Sequence, residues 1–251
     1  YELACANCHG ADGTGAPRPP AGPEREAVRL RFRYGKQGDM RFVGHLDLVN
    51  VFRRAVRRAG LAVHYSRGFH PQPALAFGPP LPLGYEGGCE WFDLGLDAWR
   101  DPRDVVPALN RVLPAGVRLE AGREVPLSAP SLSERIDAGA YRVILPGEAG
   151  ARERIEAAKK ALFAEGGVEA EQWSKRGPVR VNLRTGVLDL RGPVAEGDDL
   201  VLELVHAFGT PGTVKVPVLV EYFAAVTAAP WRTRVVRLSS GRWQDGRVTP
   251  P

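Results

Sequence analysis

Val28, Leu30, Phe32 and Tyr34 alternate strictly with Arg29, Arg31 and Arg33, the period-two signature of a strand with one buried face. The three arginines then share the other face. From His45 to Ala59 the spacing changes: Leu46, Val49, Phe52 (or Leu48), Ala55, Val56 and Ala59 recur at helical intervals, and Gly60 supplies a stop. Arg53, Arg54, Arg57 and Arg58 fall on the outer side of that helix. Leu61 to Ser66 and Cys89 to Leu96 read as strands separated by a Pro-rich excursion. A second helix starts at Asp101-Pro102, with Asp as cap and Pro in the first turn, and runs to about Leu113. Val117 to Glu124 is a further strand.

This order is β-α-β-β-α-β, the ferredoxin-like split pattern, in which two helices cover one face of a four-stranded antiparallel sheet. After a linker at 126–138 the order recurs, with strand Ala140 to Leu145, helix Ala151 to Glu165 and strand Val168 to Trp173. Strands at Val179 to Leu190 and Leu200 to Ala207, a helix near Val216 to Thr227 and a strand at Thr233 to Leu238 follow. The expected architecture is therefore α+β, with two tandem ferredoxin-like units at 27–125 and 139–238, each with an antiparallel sheet. Residues 1–26, which include Gly13-Thr14-Gly15-Ala16-Pro17-Arg18-Pro19-Pro20, read as a flexible linker, and 239–251 as a tail.

Composition narrows the class. Of 251 residues, 29 are Gly and 22 Pro, loop-rich but short of the roughly 25–30% typical of low-complexity chains. No apolar run approaches the roughly 18 residues of a membrane helix. Three cysteines make no disulfide framework, and no charged-then-apolar leader is visible, so a cytoplasmic protein without membrane contact is expected. The first residue is Tyr1 rather than Met, so an upstream segment is expected as well.

The net charge of +5 says less than its distribution. Between Ala27 and His70 stand ten cations, Arg29, Arg31, Arg33, Lys36, Arg41, Arg53, Arg54, Arg57, Arg58 and Arg67, against Asp39 and Asp47. The rest of the chain is net acidic. Guanidinium forks grip phosphates bidentately and stack on bases, so this concentration points to RNA on an uncovered sheet face. A solvated, arginine-rich surface is the plainer alternative.

Several motifs carry possible chemistry. Cys5-Ala6-Asn7-Cys8-His9 has the spacing of c-type haem attachment. The Gly/Pro-rich residues after it are too few for a haem-enclosing helical domain, which argues against haem c. Cys5 and Cys8 fit equally a half-site for Zn or an iron–sulfur centre whose other ligands lie upstream, or an uncommitted thiol pair. No cofactor is expected within the folded region. His45 opens the first helix beside Lys36 and Arg41, where free N–H groups favour a phosphate. It is either a general base or a structural histidine. Phe69 and His70, beside Arg67, can stack on an unpaired base, or the prolines around them simply stiffen a hairpin. Cys89 reads as core, and His64, His70, Cys89 and Asp93 match no ligand spacing.

Arg29-Leu30-Arg31-Phe32-Arg33-Tyr34-Gly35-Lys36, then Arg41-Phe42-Val43-Gly44-His45-Leu46-Asp47-Leu48, Tyr65-Ser66-Arg67-Gly68-Phe69-His70-Pro71 and Phe77-Gly78-Pro79-Pro80-Leu81-Pro82-Leu83-Gly84 form an ordered series over about Val28 to Leu145. That series resembles the radical-SAM-linked proteins, an uncharacterised bacterial family. The resemblance implies a partner of, or C-terminal fusion to, a cobalamin-binding radical S-adenosylmethionine enzyme, and a role near tRNA or rRNA. Where that family usually has Asp-aliphatic-Arg-Pro, this chain has Asn182-Leu183-Arg184-Thr185 and lacks the Asp. It also lacks the C-x3-C-x2-C motif, so it cannot hold the radical-SAM cluster itself. Three readings follow: an accessory domain presenting RNA to a radical-SAM modifying enzyme, a metal-independent endoribonuclease using His45 or His70, and a domain that docks the radical-SAM subunit.

Overall fold

The computed structural model describes residues 27–66, 71–209 and 213–251. Strand β1 (Val28–Lys36) is followed by a 3-10 turn at Gly38–Phe42, helix α1 (His45–Arg58), the short β2 (Leu75–Phe77), β3 (Glu86–Leu96), α2 (Pro102–Asn110) and β4 (Val117–Val125). A short helix α3 (Leu132–Arg135) leads into β5 (Ala138–Pro146), α4 (Ala151–Phe163), β6 (Glu169–Ser174), β7 (Gly177–Asn182), β8 (Val187–Glu196) and β9 (Asp199–Ala207). Helix α5 (Val216–Ala224), a 3-10 turn at Pro230–Arg232, β10 (Arg234–Gln244) and β11 (Arg247–Thr249) complete the described chain.

The class is α+β, as the element order implied, but the strands do not divide into two antiparallel sheets. They form one mixed nine-stranded sheet of order β4-β1-β3-β10-β5-β9-β8, with β2 on β3 and β11 on β10, beside a separate β6-β7 hairpin. The joint is β10, antiparallel to β5 and parallel to β3, where Val236 pairs with Glu86 and Arg237 with Gly87. Sequence periodicity reports which face of a strand is buried and not which neighbour it pairs with, so a strand inserted between the halves leaves no local trace.

Helices cover one face of this sheet in two patches. Leu30, Phe32, Phe92 and Leu94 pack on Leu48 and Phe52 of α1 and Val105 and Leu109 of α2. Tyr141, Val143, Leu145 and Leu202 pack on Ile155 and Leu162 of α4 and Leu219 and Phe223 of α5. Within α1 the buried residues are Leu48, Phe52, Ala55 and Val56. Leu46, expected in the core, is instead exposed, because the buried stripe is rotated toward Leu48. Asp101 caps α2, its carboxylate accepting from the Arg103 amide at 2.8 Å.

Other expectations shift in detail. Leu61 to Ser66 makes only isolated bridges, Val63 with Leu96 and Tyr65 with Pro73. The expected single strand at Val179 to Leu190 is two, β7 and β8, divided by a turn. The expected linker at 126–138 carries α3, closed by a Ser131–Glu134 capping box, with Leu132 and Ile136 buried against Trp91. The expected tail continues β10 and returns as β11, so close that a Cβ on Gly241 would overlap the Thr249 carbonyl.

Side chains reinforce the narrow parallel joint. Arg237 is fully buried; its Nε donates to Glu90 at 2.8 Å, its Nη2 donates to the other Glu90 oxygen and to the Pro79 carbonyl at 2.8 Å. Glu90 belongs to β3, Arg237 to β10 and Pro79 to the Pro-rich excursion, so one guanidinium ties three segments. Gly87 makes room for this, since a Cβ there would lie 2.6 Å from the Glu90 carboxylate. Leu81 and Tyr85, from the same excursion, pack into the second core. The excursion is a strap across the joint.

Removing one partner of a buried ion pair strands the other charge, at a cost of about 3–5 kcal/mol, whereas replacing both with apolar groups is often neutral. Arg237→Met is therefore expected to lower unfolding free energy by about that amount in urea titrations. Adding Glu90→Leu should restore most of it.

Candidate nucleic-acid interface

The arginine cluster read from the sequence divides into two groups with different fates. In β1, Arg31 stands opposite Asp93 of β3 in register. Its Nε and Nη2 donate to the two Asp93 oxygens at 2.8 and 3.0 Å, and both residues are buried. Arg29 donates to the Ala129 carbonyl and lies 3.8 Å from Asp93. Arg33 pairs with Glu120 of β4 at 2.8 Å. The residues after β4 lie over these side chains, with the Pro130 carbonyl accepting from Arg31 at 3.3 Å. The face expected to be open is thus covered over Arg29 and Arg31, and all three arginines have partners within the protein, Arg33 and Glu120 forming a partly exposed pair. Alternation identified that face correctly as the one turned from the helices; the segment that covers it arrives almost a hundred residues later, beyond the reach of a local pattern.

Lys36 is also withdrawn. It is buried, its Nζ donates to the Val43 carbonyl at 2.8 Å, and burial lowers its pKa against the opposing pull of Glu90.

Helix α1 is different. Its apolar stripe turns inward, so Arg54, Arg57 and Arg58 are exposed on the opposite side and Arg53 is half-buried at the margin. Among the described residues, no carboxylate lies within ion-pair distance of these four. Arg58 donates to the Val112 carbonyl, just past the end of α2. Arg67, Phe69 and His70 lie outside the described residues, as do Cys5 and Cys8.

His45, at the start of α1, meets the Phe77 ring edge-on, with centroids 5.8 Å apart. Burial, and secondarily the Lys36 charge, lowers its pKa, which favours the neutral ring. It lines a cavity of about 600 Å³ with Phe77, Pro79, Ser133, Ile136 and Phe208. No hydrogen bond orients its ring among the described residues, and Asp137, on the same wall, already accepts from the Trp243 amide at 2.7 Å. His64 is bound to Asp97 at 2.8 Å. Cys89 is half-buried beside Trp91, Leu132 and Ile136, and burial raises its pKa.

A second feature has no counterpart in the sequence reading. Where β3 and β10 begin side by side, a groove of about 290 Å³ is lined by Arg41, Phe42, Glu86, Ile144, Trp231 and Arg234. Phe42 and Trp231 are 58% and 79% exposed. The Arg41 guanidinium lies 4.7 Å above the Phe42 ring and 3.8 Å from Glu86. The available signal was Trp231 itself, a tryptophan set between Pro230 and Arg232, outside any apolar periodicity.

Residues 29–216 match the family described as "Uncharacterized protein conserved in bacteria (DUF2344)". The chain belongs to that family. No curated protein matches the DUF2344 chain. Among solved structures it is distantly similar to the archaeal box H/ACA sRNP Nop10–Cbf5 complex, at 12% identity and TM-score 0.39 over 91% of this chain and 52% of that one. It thus spans about half the length of that chain. A second match, an unknown protein from Galdieria sulphuraria, has 13% identity and TM-score 0.26 over 84% of this chain and 96% of that one. Similarity this low assigns neither a shared fold nor a function. No helix among the described DUF2344 residues is long and apolar enough to cross a membrane.

One titratable group escaped the sequence reading. His206, near the end of β9, is buried, with neither ring nitrogen hydrogen-bonded within the described protein, and burial lowers its pKa to about 4. A histidine with a depressed native pKa leaves the unfolded chain binding more protons between that value and about 6.5. Its contribution to stability is complete above about 6.5 and is lost as pH falls toward 4. Wild-type protein is expected to lose roughly 2 kcal/mol more than His206→Gln between pH 7 and pH 5, measured by urea unfolding.

Proposed function

We propose that this DUF2344 protein is a non-catalytic RNA-binding module, with the outer face of α1 as its phosphate-contacting surface. The observation that carries this reading is the run Arg53, Arg54, Arg57 and Arg58, whose charges no described carboxylate neutralises, on a helix whose other side is fixed in the core. A row of guanidinium groups on a helix anchored in the core grips a phosphate backbone without reading its sequence. On the sequence resemblance, the partner proposed for this module is a radical-SAM enzyme that modifies the RNA it presents. Among the described residues the half-buried His45 has no hydrogen-bonded partner of the kind that orients a general base, and this supports binding over cleavage.

The experiment is a salt titration of RNA affinity with the whole chain. Single-stranded binding should weaken with salt at a log–log slope of about −0.7 per phosphate neutralised. Arg54→Ala with Arg57→Ala is expected to weaken binding and make that slope shallower by about 1.4, one phosphate per arginine. Unchanged affinity and slope would sink the α1 surface.

A further inference from the structure

We propose that the groove where β3 and β10 begin is a stacking site for one unpaired RNA base; this rests on the RNA-binding reading above and specifies the nucleic acid it requires. The groove brings together aromatic rings and guanidinium groups from distant parts of the chain. Phe42 comes from the turn after β1, and Trp231 from the turn before β10. Both rings are mostly in water, although the protein has two cores that accept aromatic side chains. Arg41 is held in place from two sides, over the Phe42 ring at 4.7 Å and near the Glu86 carboxylate at 3.8 Å. Glu86 is itself fixed, accepting from the Gly38 amide at 3.0 Å.

This combination has a specific use. Bases have two flat faces and stack on aromatic rings and on guanidinium planes alike, and nearby arginines take the adjoining phosphates. Arg232 follows Trp231, is exposed, and has no ion-pair partner among the described residues. Arg234, on the groove wall, is paired with Asp199 at 3.0 Å but remains largely exposed. The partly buried Ile144 and Val236 give the groove an apolar lining. Its volume of about 290 Å³ lies at the lower end of ligand sites, roughly 300–1,000 Å³, which suits one flat ring and not a peptide helix or strand. A base in a duplex keeps both faces against its neighbours and cannot enter, so the site requires single-stranded or looped RNA.

The test compares dissociation constants of the whole chain for a fluorescein-labelled single-stranded 12-nucleotide RNA and for the same sequence as a duplex, at one salt concentration. Trp231→Ala and Phe42→Ala remove exposed rings and leave both cores intact. Each is expected to weaken single-strand binding about tenfold, the loss of one stack, with duplex binding unchanged and Trp231→Phe restoring affinity. Single-strand binding that survives both alanine substitutions overturns the base site and assigns the exposed rings to a protein contact. So does an equal loss for the duplex. If the groove variants have no effect while the Arg54→Ala with Arg57→Ala variant weakens binding, only the base site fails. If the wild-type chain binds neither RNA, the RNA-binding reading fails and this proposal with it.

Discussion

The two halves of the sheet meet around a buried ion pair. Between β3 and β10 the backbone register extends over only two residue pairs, far fewer than the nine that join β5 to β9. What the backbone lacks at this joint, side chains supply: Arg237 and Glu90, with the Pro79 carbonyl as a third anchor, and Trp91, whose Nε1 donates to the Ser240 carbonyl at 3.1 Å. Burial alone opposes the Arg237 charge, yet its pKa is raised, because Glu90 and Tyr141 stabilise the cation. The same surroundings push the Tyr34 hydroxyl upward, first by burial and then by the Glu90 charge. The net stability contributed by a buried ion pair is small, because desolvation offsets most of the attraction. Here it connects β3, β10 and the Pro-rich strap at the short seam between the two cores.

That seam creates the groove. Phe42 and Trp231 stand nearly two hundred residues apart in the sequence and are neighbours only because β10 lies beside β3. The α1 arginines, by contrast, need nothing beyond their own helix and the core beneath it. The two candidate surfaces therefore depend on different levels of structure, one local and one set by the long-range pairing.

The same division explains what could be read from the sequence. The helix beginning at His45, the Asp101 cap and the alternation in β1 are written in local spacing, and the structure has them. Which arginines remain free is not local. Asp93, Glu120 and the carbonyls of Ala129 and Pro130 take up the hydrogen bonds of the β1 set, and each reaches β1 only through the fold. Arg237 gave no signal either, since it sits in a polar-looking stretch, Arg234 to Ser240, whose alternation hides a buried charge. Trp231 lay in a segment without periodicity, where an exposed ring has no pattern to break.

The placement of β10 also shapes how the protein is made. Among the strands described, it leaves the ribosome after every other long one, yet it occupies the middle of the finished sheet. Until it emerges, β3 and β5 each offer the nascent chain an unpaired backbone edge, the kind of surface that recruits neighbouring polypeptides. Closing the sheet is then an insertion between two strand edges, and the span matched by the family, which ends at residue 216, stops before the piece that performs it.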